Sequence, residues 1–138
     1  MRELAKRWLE YAERDRRAGE QIKDTSDLAV VAAFHIQQLI EKSLEALIVY
    51  SGGNPPRIHD LTRLSAECAE RFPDLPSDEE LLERINEHYI QSRYPLGAET
   101  EGNDLNSQSL TDMLALGIRV QSYARDVIDR PSDGGEES

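Results

Sequence analysis

The chain of 138 residues has one cysteine, Cys68, so an internal disulfide is excluded. One Cys and three scattered His offer no ligand spacing for zinc, and no cofactor motif is present. Long apolar runs are also missing, and none approaches the ~18 residues of a membrane span. The opening MRELAKRWLEYAERDRR is charged throughout and has no apolar segment of the kind a signal peptide needs, so a cytoplasmic location is expected. Proline and glycine are scarce, 6 and 8 in all. Most of them fall in Ser51–Pro56, Pro95–Gly102 and Pro131–Gly135, which mark breaks between elements. There is no strand pattern of useful length and no internal repeat.

What remains is dense charge, 31% of residues, with an apolar 38%. That balance suits amphipathic helices, each with one buried stripe. The length fits one domain with its own core, over residues 1–130. Residues 131–138 are acidic and low in apolar content, and are expected to be a disordered tail. The net charge of −11 repels nucleic acid on average, so DNA is not an expected partner and RNA would need a local basic cleft. Six basic residues between Arg2 and Arg17 are interleaved with Glu3, Glu10, Glu13 and Asp15. They read as a solvated face laced with i,i+4 pairs.

Periodicity predicts about five helices, over residues 2–23, 28–50, 60–71, 77–93 and 110–129. Leu4, Trp8, Ala12, Asp15, Gly19 and Ile22 recur on one face of the first. The second is apolar around much of its circumference and belongs at the centre. It ends at Ser51-Gly52-Gly53, where glycine suits the left-handed residue. N-caps are expected within Asp24–Asp27, at Asp60, at Ser77 in a capping box with Glu80, and at Ser107 or Ser109. Residues 96–108 read as a loop. Amphipathic helices joined in this way predict an all-α, up-and-down antiparallel bundle.

Several polar residues interrupt the apolar faces. His35, Gln38, Lys42 and Glu45 step by three, four and three along the central helix. A buried charge must be paired, and Asp15 on the first helix is placed to pair with Lys42 or His35. This group serves as a network that fixes helix register, as a polar pocket for a nucleotide or phosphate, or in a dimer interface. His88 is one turn from Arg84, and Arg93 and Tyr94 stand at a helix end before the long loop, where sites are often held. Arg93 and His88 are the candidates for cleavage chemistry, because metal-free RNA hydrolysis needs a base, an acid and a cation on the phosphate.

The segments Ala33-Phe34-His35-Ile36-Gln37-Gln38, Glu41–Leu47, Gly52-Gly53, Pro56 and His59-Asp60-Leu61 follow in order. With Trp8-Leu9-x-x-Ala12-x-x-Asp15 before them and Tyr89–Pro95 after, the chain resembles the HEPN family from about residue 3 to 129. The resemblance implies a helical bundle, often a homodimer, encoded beside a minimal nucleotidyltransferase in a two-component system of toxin–antitoxin type. It also implies contact with nucleotide or RNA. In the active branch of the family an Arg, then four to six residues, then a His make a metal-independent ribonuclease. Here Arg93 would need His at 98, 99 or 100, where Ala98, Glu99 and Thr100 stand. Arg84 and His88 are separated by only three residues. The ribonuclease motif is therefore incomplete, which leaves a divergent ribonuclease toxin or a non-catalytic interaction module as the alternatives to the two-component reading.

Overall fold

The first helix, α1 (Arg2–Ile22), buries Ala5, Leu9, Ala12, Asp15 and Gly19. The computed structural model describes residues 2–56, 58–93 and 105–130, without the side chains of residues 90–93. Ala12, Asp15 and Gly19 are buried as expected, but Ala5 and Leu9 take the places expected of Leu4 and Trp8. Leu4 is 49% exposed and Trp8 only partly buried. Ala5, Ala12 and Gly19 stand seven apart and let the next helix approach closely, so the small residues take the inner seam and the large ones flank it.

A single 3-10 turn, Ser26–Leu28, leads into α2 (Ala29–Tyr50). None of Asp24–Asp27 caps α2 with its side chain; the Leu28 N–H instead donates to the Thr25 carbonyl at 2.8 Å. Ala32, Ala33, Ile36, Leu39, Ile40, Leu44 and Leu47 of α2 are all at most 1% exposed, as befits a central helix. Each of the larger ones contributes about 1.5–3 kcal/mol by burial. Gly52 ends the helix at φ +94°, the left-handed conformation that a β-carbon disfavours.

Helices α3 (Leu61–Arg71), α4 (Glu79–Arg93) and α5 (Ser107–Asp129) follow. Asp60 caps α3 as expected, accepting from the Thr62 and Arg63 N–H groups. At α4 the cap is Asp78 rather than Ser77, since Asp78 Oδ1 accepts from Leu81 N–H. At α5 it is Asn106, in a reciprocal capping box with Ser109, so the helix starts three residues earlier than expected. Residues 94–104 and 131–138, the greater part of the expected loop and the whole expected tail, lie outside the described residues.

The contacts give the directions. Gly19 meets Ile36 while Asp15 meets Lys42, so α1 and α2 are antiparallel. Arg2 reaches the Arg130 carbonyl, Gln121 bonds Glu13 and Ser107 bonds Asp24, so α1 and α5 are antiparallel as well. After Gly53 the chain runs back along α2. His59 then sits at Glu41, Cys68 at the Leu44 carbonyl and Arg71 at the Ser51 carbonyl, so α3 starts beside the middle of α2 and follows its direction. The chain is all-helical among the described residues, five helices in one bundle, with α2 packed against each of the others. No helix among those residues is long and apolar enough to cross a membrane.

Candidate functional site

Six polar side chains line one arc of α2. At about 100° per residue, His35, Lys42, Gln38, Glu45, Glu41 and Gln37 span roughly 160° of its circumference in that order. The two edges of this arc face different elements, and the expected single stripe is thereby divided.

At the α1 edge, Asp15 is 7% exposed and engages both expected partners. His35 Nδ1 lies 2.8 Å from Asp15 Oδ1, and Lys42 Nζ donates to Oδ2 at 2.7 Å. One carboxylate thus ties two turns of α2 to α1. Tyr11, one turn before Asp15, lies with its ring centre 5.9 Å from Lys42 Nζ and 4.7 Å from the Arg14 guanidinium. The triad is satisfied internally, and a phosphate here would have to displace a carboxylate from Lys42 and His35.

At the other edge Glu41, 6% exposed, accepts from Gln37 Nε2 at 2.8 Å, and its two oxygens lie 3.0 and 3.1 Å from His59 Nδ1. Gln37 also donates to the His59 carbonyl at 3.2 Å. Gln38 turns toward this group, donating to Gln37 Oε1 at 2.7 Å, and does not join Asp15. The His59 ring lies 5.3 Å from that of Tyr89, which stacks on Phe34 at 5.9 Å. Asn86 of α4 completes the clasp, donating to Asp60 Oδ1 and accepting from Leu61 N–H, both at 3.0 Å. The Thr62 hydroxyl, ahead of its other donors, holds the Asp60 carboxyl below the usual range.

Between the edges lies Glu45, also 6% exposed. Burial, and then the neighbouring Glu41, push its carboxyl up to about 8. Glu41 and Gln37 are the polar groups that sequence reasoning did not single out as site residues, and it did not place the ring of His59 beside them. The signal was available: Gln37, Glu41 and Glu45 recur every fourth residue on a helix otherwise too apolar to carry them.

His88 is 3% exposed on α4, and Arg84 is half-buried one turn before it. The side chain of Arg93, and Tyr94, lie outside the described residues. Among the described residues no group of three or more His, Cys, Asp or Glu could hold a metal ion.

Comparison with known proteins bears on the helical bundle. The family model of the HEPN domain matches residues 5–116. A crystal structure of TT1696 from Thermus thermophilus superposes with a TM-score of 0.67 at 23% identity, covering 88% of this chain and 96% of that one. A search of curated proteins gives no match. The chain belongs to the HEPN domain family.

Proposed function

We infer that this HEPN protein works by association rather than by cutting RNA. In this reading it forms a homodimer and pairs with a minimal nucleotidyltransferase, as one half of a two-component system of toxin–antitoxin type. Nucleotide or RNA is reached through that partner. The observation that carries the reading is the burial of His88, which at 3% exposed is badly placed to take a proton from a ribose hydroxyl. The incomplete Arg–His spacing supports it from the sequence side. The more exposed histidines, His35 and His59, each already face a carboxylate. A net charge of −11 favours a basic protein partner over RNA. The strip Leu4, Trp8 and Tyr11 on α1 supplies apolar contact area, with Leu4 49% and Tyr11 46% exposed.

The test is to overproduce the chain alone and follow growth and RNA integrity together, then to look for a small nucleotidyltransferase gene beside its own and co-produce the two proteins. Intact tRNA and mRNA, normal growth and co-purification of the two proteins are expected. RNA cleavage that disappears in Arg93→Ala would replace this reading with a ribonuclease.

A further inference from the structure

A cavity of about 480 Å³ opens beside the central helix, walled by Trp8 of α1, Glu41 and Glu45 of α2, and Pro55, Pro56 and His59 of the return segment. Its two carboxylates are in different states. Glu41 is occupied by Gln37 and His59. Glu45 is 6% exposed, yet among the described residues no donor hydrogen-bonds its carboxylate and no cation lies within ion-pair distance. The nearest cation in sequence, Lys42, is committed to Asp15 at 2.7 Å. Its stem is buried while its oxygens open on the cavity.

We propose that the cavity binds a monovalent organic cation, an alkylammonium or alkylguanidinium head group held by Glu45 and Glu41, with its alkyl body lying on Trp8 and the two prolines. The wall chemistry selects this class. A metal ion is disfavoured, because Glu41, Glu45 and His59 do not form a group able to hold one. A fully hydrated inorganic cation would leave the indole and the proline rings unused. An alkyl cation uses both, and the indole face adds attraction for the charge.

The raised Glu45 carboxyl gives the site a further property. The groups around it are Glu41 and Lys42 on its own helix, His59 from the return segment, and Asp15 of α1 through Lys42. A cation binds the ionised form, so binding expels the proton from Glu45 and strengthens as pH rises toward 8.

Trp8 is the one tryptophan of the chain, so its emission reports this cavity. The full chain is titrated with n-butylammonium and n-butylguanidinium chloride against sodium chloride at equal ionic strength, and in parallel with a capped Gly-Arg-Gly peptide. The expected result is saturation with a dissociation constant of ~1 mM, weakened roughly tenfold or more in Glu45→Gln, with proton release on binding. Glu45→Gln keeps the shape and removes the buried charge, and its circular dichroism and urea midpoint verify that it folds. Binding of the small cations upholds a free-amine site; binding of the peptide alone upholds a site for a basic side chain. Failure of all three to saturate by about 50 mM, equal affinity of wild type and Glu45→Gln, or affinity independent of pH overturns the proposal.

Discussion

Asp15 shows how much one carboxylate on an otherwise apolar seam can determine. It is hydrogen-bonded to His35 and ion-paired to Lys42, and removing it strands a half-buried ammonium. Asp15→Asn is expected to cost about 2 kcal/mol in urea unfolding, and Lys42→Met added to it to recover part of that loss; strictly additive losses would show that the two residues are not coupled. Glu45 acts in the opposite direction. Its carboxyl rises from 4.5 unfolded to about 8 folded, so the fold binds the proton more tightly than the open chain does. The stability linked to that proton is whole below pH 4.5 and is lost progressively up to pH 8. Glu45→Gln should therefore stabilise the protein by roughly 2–4 kcal/mol at pH 8–9 and hardly at all near pH 4, which urea midpoints across that range will show. The Asp15 pairing was legible in the sequence, because a charge on a buried stripe requires a partner and the neighbouring helix offered His35 and Lys42. The Glu41–His59 contact was not, because it depends on where the return segment crosses α2.

Of the two helical glycines among the described residues, Gly117 of α5 is the more tightly enclosed. A β-carbon on Gly117 would fall 2.6 Å from Leu39 Cδ2 and 3.3 Å from its Cγ, and Leu39 is fully buried. At Gly19 the nearest atom would be Ile36 Cγ1 at 3.5 Å, an ordinary contact. Alanine gains up to about 1 kcal/mol of helix propensity over glycine at either position, while overpacking costs about 1–3 kcal/mol. Gly19→Ala should accordingly raise the melting temperature and Gly117→Ala lower it; a rise in both would mean that Leu39 can yield. Asp60→Ala removes a cap that also receives Asn86, and about 1–2 kcal/mol should go with it. Because the Asp60 carboxyl is held low, its contribution is present above the ordinary carboxylate range and fades as pH falls. Helix positions were readable from periodicity and breakers to within a few residues. The face of α1 was misjudged by one residue in its first two turns, since periodicity weights Leu4 and Trp8 while packing favoured Ala5 and Leu9. The caps slipped to Asp78 and Asn106 because clustered Ser, Asp and Asn residues compete for one position, and backbone geometry decides among them.

For the whole molecule, the fold and the activity usually sought in it separate cleanly. The bundle follows from four amphipathic helices around one apolar helix, whereas the family chemistry needs an accessible His at the right spacing from an Arg. If association is the function, Leu4→Glu with Tyr11→Glu should abolish co-purification with the nucleotidyltransferase while leaving the melting temperature within a few degrees, since both residues are exposed. The packing of α3 on α2 has a consequence of a different kind. Cys68 is 3% exposed, its thiol donates to the Leu44 carbonyl at 3.4 Å, and burial pushes it up to about 12. The only sulfhydryl in the chain is thus silent toward alkylating reagents until the bundle parts. Its modification rate then clocks the spontaneous opening of the core, and any cysteine introduced on the surface can carry a label alone.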